Sequence, residues 1–299
     1  MKIAHIITGL HVGGAETMLY KLLKTMDREK HDSIVISLQG KSIIGKKIEQ
    51  LGVPVHCLYL NYGNLFFVVQ LFWILRVFKP EIIQGWMYHG NIAACFAKYF
   101  MMPSCKVVWN IRCTLNLEKR KKRTKKIISF SAKLSKKVSG IINNSRVSQQ
   151  QHEAIGFVRK NSIYIGNGFD VERFKRNKQA YEYFRKTRRL GAQRIVIGNI
   201  ARFHPMKDHF GLLLAFKEMQ KKYDDALTLV LGGRGLDANN VLLLEKITQL
   251  GLEKSCILLG PVDTHKVMPV FDVYVSSSAW GEGFPNVIGE AMCCEVPCV

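Results

Sequence analysis

The chain has 299 residues, 47% of them hydrophobic, with a net charge of +21. That length and apolar content suit two packed domains and exclude a disordered or purely solvating chain. The charge is one-sided: residues 1–168 carry 26 Lys/Arg against 8 Asp/Glu, residues 169–194 carry 9 against 3, and residues 195–299 carry 9 against 12. A field so skewed points to an anionic surface or polymer facing the first half.

The chain opens with an apolar strand over 3–8, too short for a signal peptide. A glycine loop and a helix over 15–25 follow. Then come a strand at 34–38, a helix at 46–51, a strand at 55–58 and a helix at 65–78 that ends before Pro80. The apolar part of that helix, 65–75, is interrupted by Gln70 and followed by Arg76. It falls short of the ~20 residues that span a bilayer. Further strands are expected at 82–84, 107–110, 140–143 and 162–165. The rhythm breaks over 169–194, read as a basic, exposed linker. It resumes with strands at 195–199, 227–231, 256–259 and 273–276 and helices at 209–222, 241–250 and 286–294. Short buried strands alternating with crossover helices predict two doubly wound parallel α/β domains, 1–168 and 195–299, with a cleft where ligands bind outside the strands' carboxyl ends. The eight cysteines form no Cys-x-x-Cys pair. They read as reduced thiols of a cytosolic protein.

Candidate chemistry lies just after predicted strands. Glu282 and Glu290 flank Gly283-Phe284-Pro285-Asn286, a loop running into a helix start, which is a natural seat for phosphate. Carboxylates there suit hydroxyls that a phosphate carries, because an ionised carboxylate accepts two hydrogen bonds. Arg202 and Lys207, with four residues between them after the strand at 195–199, suit a diphosphate, though two solvated surface cations would look the same in isolation. Gly13 and Gly14 follow the first strand but do not form the G-x-G-x-x-G pattern of a dehydrogenase, and a plain tight turn explains them equally well. His89 follows the strand at 82–84, where a lone His is more often structural than catalytic. Gly233 and Arg234 follow the strand at 227–231, and Val262 follows the next one. Paired carboxylates also occur in glycoside hydrolases, but that reading leaves the Arg/Lys pair unexplained.

The densest charge run is 119–126. Its Lys121, Lys122, Arg123, Lys125 and Lys126 precede an amphipathic stretch ending near Leu134. Such a segment suits an anionic membrane face better than nucleic acid, for which no base-reading module is present; a solvated loop is the plain alternative. No Asp-x-Asp occurs, and no Cys/His cluster has metal-ligand spacing, so no metal or other cofactor is expected.

Five marks, in order along the chain, resemble glycosyltransferase family 4, the retaining, nucleotide-sugar-dependent group with the GT-B fold. They are Gly13-Gly14-Ala15-Glu16, 86–91 (Trp-Met-Tyr-His-Gly-Asn), Asn167-Gly168-Phe169-Asp170, the 201–208 stretch with Arg202 and Lys207, and 282–290. The resemblance implies that Arg202 and Lys207 hold the donor diphosphate, Glu290 the donor ribose and Glu282 the transferred sugar. Residues 283–286 would cradle sugar and diphosphate, with Gly233, Arg234 and Val262 about the nucleotide. His89 would point toward the reacting sugar as a catalytic residue, and Gly13 and Gly14 would lie near diphosphate and acceptor. It implies transfer of a hexose or N-acetylhexosamine to a hydroxyl of a lipid-linked or glycan acceptor, in bacterial surface-polysaccharide, capsule or lipopolysaccharide assembly at the cytoplasmic membrane face. Relatives continue beyond the strand that starts at 296, and usually carry Gly where Glu295 stands, so the second domain is expected to be incomplete. A vestigial fold that binds membrane or nucleic acid, and a phosphorylase or epimerase of the same fold, are the alternatives.

Overall fold

The computed structural model describes residues 1–60, 63, 66–118, 121–223 and 226–299. Leu65, Lys119 and Arg120, which figured in the expected helix and charge run, lie outside them. Contacts divide the chain into two compact units. One is Met1–Gly168 with Glu282–Phe284, and the other is Phe169–Gly281 with Pro285–Val299.

The first unit is built on a parallel sheet of strands β1 (Lys2–Ile7), β2 (Asp32–Ser37), β3 (Val55–Cys57), β4 (Ile82–Trp86), β5 (Lys106–Ile111), β6 (Gly140–Asn143) and β7 (Ser162–Tyr164). Their spatial order is β3-β2-β1-β4-β5-β6-β7. Side chains alternate between the faces of the sheet. Ile7 and Val35 pack with helices α1 (Gly14–Thr25) and α2 (Ile43–Gln50). Ala4, Ile6, Ile34 and Ile36 pack with α3 (Phe67–Phe78), α4 (Met87–Phe100) and α5 (Lys122–Leu134). Both faces being covered is why these strands read as continuous apolar runs. The chain winds outward from β1 to β3, then returns to β4 on the other side of β1. The switch point therefore lies at the carboxyl ends of β1 and β4.

Helix α4 was not expected from the sequence. It begins directly at the end of β4, with Met87 at φ 60. A Cβ on Gly90 would stand 2.4 Å from the Ile6 carbonyl oxygen, so the helix lies against the backbone of β1. Helix α6 (Arg146–Ala154), also unexpected, holds the elbow from the side: Tyr88 and His152 share a 2.7 Å hydrogen bond, and His152 Nδ1 meets the Ser148 carbonyl at 2.7 Å. With Nδ1 as donor, Nε2 accepts the Tyr88 hydroxyl proton.

The second unit repeats the plan with β8 (Ile195–Ile200), β9 (Leu227–Gly232), β10 (Cys256–Gly260) and β11 (Val273–Tyr274), in the order β10-β9-β8-β11. Helix α7 (Lys178–Thr187) precedes β8, and α8 (His209–Tyr223), α9 (Val241–Gln249), α10 (Thr264–Val267) and α11 (Asn286–Cys293) follow in turn. Ile197, Leu229 and Leu231 face α8 and α9. Val196, Val230 and Tyr274 face α7 and α11.

Two sequence readings are corrected here. The segment 169–194 is exposed along most of its length, as expected, but it is not a separate linker: it folds into the second unit, and α7 is fixed by Arg185. Arg185 is 8% exposed, and its guanidinium pairs with Asp272 at 3.3 Å and donates to the carbonyls of Gly191, Ala192 and Arg194. The residues 282–284, read as part of the second domain, cluster with the first unit. Beyond α11, Glu295 takes the left-handed conformation, φ 58. Residues 297–299 then run beside β11, with Tyr274 N donating to Pro297 O and Val299 N to Tyr274 O. The contact is an isolated parallel bridge between Tyr274 and Cys298, where the sequence implied a strand.

Candidate functional site

In the second unit the switch point falls where β8 and β11 are neighbours. The loop after β8 carries Arg202 and Lys207. Arg202 is exposed, with no hydrogen bond or ion pair to another described residue, while Lys207 is half-buried. The loop after β11 is laced to it. Ser277 Oγ donates to the Lys207 carbonyl at 2.6 Å, Lys207 Nζ meets Ser278 Oγ at 3.3 Å, and Ala279 N donates to Met206 O at 2.9 Å. His204, read as a local contact, caps the turn between the two cations, its Nδ1 accepting from Met206 N at 3.1 Å. Burial and then the charges of Arg202 and Lys207 lower its pKa, so it stays a neutral acceptor.

The loop after β9 lies on the same edge. Ala201 N donates to Gly232 O, Phe203 N to Arg234 O, and Gly233 N to Gly260 O. Gly233 has φ 138, and a Cβ there would stand 1.9 Å from Ala201 O, so only glycine lets the two loops touch. Arg234 is exposed, and Val262 packs on Gly232.

Helix α11 starts after Pro285, which has no side chain able to cap it. A helix start of this kind favours an anionic group. Glu290, one turn in, is only 7% exposed. The Phe169 ring packs on Gly289, where a Cβ would stand 2.1 Å from the ring's Cζ. Phe169 thus reaches the helix that carries Glu290, a link that sequence spacing alone does not reveal.

In the first unit, Gly13 is the extended N-cap of α1 and Gly14 its first residue, after β1. His89 sits two residues past the Met87 elbow, exposed, with its pKa lowered by desolvation and then by Arg123. The segment of Glu282, Gly283 and Phe284 is held by its backbone. Thr114 Oγ1 donates to Glu282 O at 2.9 Å and Asn167 Nδ2 to Phe284 O at 3.0 Å. A Cβ on Gly283 would meet the Asn144 amide at 2.3 Å. Asn286 and Pro285 belong to the second unit, so the two ends of the 282–290 motif are divided between the units. Lys121, Lys122, Arg123, Lys125 and Lys126 are exposed at and after the start of α5, which buries Ile128, Ser131 and Ala132.

Sequence reasoning missed Arg112, which follows β5 and belongs to no recognised motif. It lies over the buried Trp86 ring at 6.0 Å and donates to Asn110 and Asn167.

The chain is thus a parallel α/β protein whose second unit carries cationic and glycine-bearing loops after its strands and a mostly buried carboxylate on α11. Residues 12–173 match the family described as Glycosyltransferase Family 4, and residues 179–299 match Glycosyl transferases group 1. The chain belongs to glycosyltransferase family 4.

Among curated relatives, EpsF of Bacillus subtilis (strain 168), provisionally named a glycosyltransferase, is 35% identical over 136 residues, covering 45% of this chain and 34% of EpsF. The capsular polysaccharide biosynthesis glycosyltransferase CapH of Staphylococcus aureus is 22% identical, covering 97% of this chain and 78% of CapH. The crystal structure of Anabaena HepE in complex with UDP and glucose has a TM-score of 0.85 at 23% identity, covering all of this chain and 80% of HepE. That likeness shows the GT-B class of fold.

Proposed function

We propose that the chain is a retaining glycosyltransferase that moves a hexose or N-acetylhexosamine from a nucleotide diphosphate sugar to a hydroxyl of a lipid-linked or polysaccharide acceptor in bacterial surface-glycan synthesis. The observation that carries this is the laced pair of loops at the switch point of the second unit. Lys207 is tied to Ser277 and Ser278 on the loop between β11 and the helix of Glu290, and Arg202 in the same loop as Lys207 has no hydrogen bond or ion pair among the described residues. Cations there neutralise a leaving diphosphate, and a buried carboxylate takes hydroxyls. Arg202, Lys207, Gly233, Arg234, Pro285, Asn286, Glu290 and Val262 form the donor side in this reading. Gly13, Gly14, His89, Glu282, Gly283 and Phe284 serve the acceptor and the transferred sugar.

In the transfer the acceptor oxygen bonds to the anomeric carbon as the carbon–phosphate-oxygen bond breaks. The leaving phosphate takes the acceptor proton, and the protein supplies positioning and charge. The UDP and glucose of HepE and the capsular role of CapH support the substrate class.

The same reading gives the first unit an anionic membrane face. Five exposed cations crowd the start of α5, where the helix dipole is already positive and anions are welcome. Helix α3, on the same core cluster, exposes Val69, Trp73 and Val77 along one side. Aromatic and basic side chains side by side suit an interface.

The experiment is a screen of nucleotide sugars for thermal stabilisation and for hydrolysis or transfer, run with and without excess chelator. One nucleotide sugar should stabilise the protein and be turned over in both conditions. If no nucleotide sugar binds, the reading is wrong. Strict dependence on added divalent metal would overturn the metal-free mechanism.

A further inference from the structure

We propose that Arg112 is an oxyanion-binding residue of the first unit, taking a phosphate or carboxylate group of the substrate, an assignment that rests on the glycosyl-transfer reading above. Strand β5 ends in Asn110 and Ile111, and Arg112 follows at the carboxyl edge, one strand from the switch point. Trp86 and Asn110 are register partners across β4 and β5, and both are buried. The guanidinium lies over the Trp86 ring at 6.0 Å. Nη1 donates to Asn110 Oδ1 at 3.1 Å, and Nη2 donates to Asn167 Oδ1.

These partners are neutral. Arg112 is half-buried, and among the described residues no carboxylate pairs with it, although a charge partly withdrawn from water is commonly matched by one. The contrast with Arg185, which is buried against Asp272, lies in the same chain. Two of the guanidinium's five N–H groups are engaged, which leaves a fork able to grip an oxyanion bidentately. Burial lowers its pKa only to about 10, so it remains a cation at neutral pH.

Its surroundings tie it to the reaction. The Asn167 amide that accepts from Arg112 donates to Phe284 O, and Thr114, two residues on, holds Glu282 O. A purely structural role in orienting Asn167 needs one N–H and no charge. A cation over Trp86 with no carboxylate partner among the described residues is what that role leaves unexplained.

Two sources supply such an oxyanion: the donor's diphosphate, or an anionic group on the acceptor. The test uses the full 299-residue chain with labelled arginine, following the guanidinium Nε resonance that disappears in Arg112→Lys and again in Arg112→Gln. Inorganic phosphate is titrated into wild type and into the double variant Arg202→Ala, Lys207→Ala. The resonance should shift saturably in both, and Arg112→Lys, which keeps charge but loses the fork, should weaken phosphate binding in the double variant about tenfold. A shift from phosphate that persists with a nucleoside diphosphate bound assigns the oxyanion to the acceptor. Replacement of the phosphate shift by a nucleoside diphosphate shift assigns it to the donor. An unmoved resonance with both probes overturns the proposal. Should the glycosyl-transfer reading alone fail, the nucleoside diphosphate would be silent while inorganic phosphate still shifts Arg112.

Discussion

Gly233→Ala is the sharpest perturbation available, because the cost can be worked from the structure. Gly233 has φ 138, and its added methyl would meet Ala201 O at 1.9 Å and Ala201 C at 2.6 Å. The disallowed backbone costs about 1–3 kcal/mol. Overpacking against a backbone that cannot rotate away adds about 1–3 kcal/mol. Relief would move the loop after β8 and loosen the bonds Ala201 N to Gly232 O and Gly233 N to Gly260 O. Two controls grade the effect. Gly251 has φ 65 but only the tip of Lys217 nearby, at 3.8 Å, so its change to Ala should cost about 1–2 kcal/mol from the backbone alone. Gly191 has open space and ordinary φ, so Gly191→Ala should stay within about 0.5 kcal/mol or stabilise slightly. Urea unfolding of the three variants gives the order Gly233, Gly251, Gly191. Nucleoside diphosphate binding should fall only for Gly233→Ala, since that loop bears on Arg202. Equal midpoints for Gly233→Ala and Gly191→Ala would refute the reasoning, as would unchanged nucleotide binding in Gly233→Ala.

Two further outcomes are expected. Replacing Lys121, Lys122, Arg123, Lys125 and Lys126 with Gln should abolish sedimentation with anionic vesicles at low salt, each cation contributing about 1 kcal/mol, while nucleotide binding is kept; continued pelleting would reduce the cluster to a solvated face. His5 and His209 are buried and have their pKa lowered from 6.5 to about 4, chiefly by desolvation. The unfolded chain then binds more protons than the folded one between those values, so stability is full above pH 6.5 and falls as pH drops toward 4, by about 3 kcal/mol for each group. His209→Gln should flatten that slope, and an unchanged slope in denaturation curves at pH 7 and pH 5 would contradict it.

The strands at 195–199 and 227–231 were legible because parallel strands buried on both faces are apolar throughout, and turn residues bound them. Helix α7 was not, because its apolar side is carried by Ala180, Tyr181 and Phe184 among cations. The acid that lets Arg185 be buried, Asp272, lies far along the chain. Helix α4 escaped because it starts without a loop, at an elbow that depends on Gly90 meeting the backbone of β1. Site legibility followed the same rule. Arg202 and Lys207 share one short motif, as do Glu282 and Glu290, so they could be nominated from sequence. The hold of Thr114 and Asn167 on 282–284, and the position of Arg112 over Trp86, arise only when distant strand ends come together.

The central claim is that the loops at the β8 and β11 carboxyl ends hold the donor's diphosphate. The direct measurement is calorimetric affinity for a nucleoside diphosphate in wild type, Arg202→Ala, Lys207→Ala and Arg234→Ala. A charge-assisted contact is worth about 1.5–3 kcal/mol, so the first two variants should each lose roughly tenfold or more, and the exposed Arg234 less. Equal affinity in wild type, Arg202→Ala and Lys207→Ala would contradict the account.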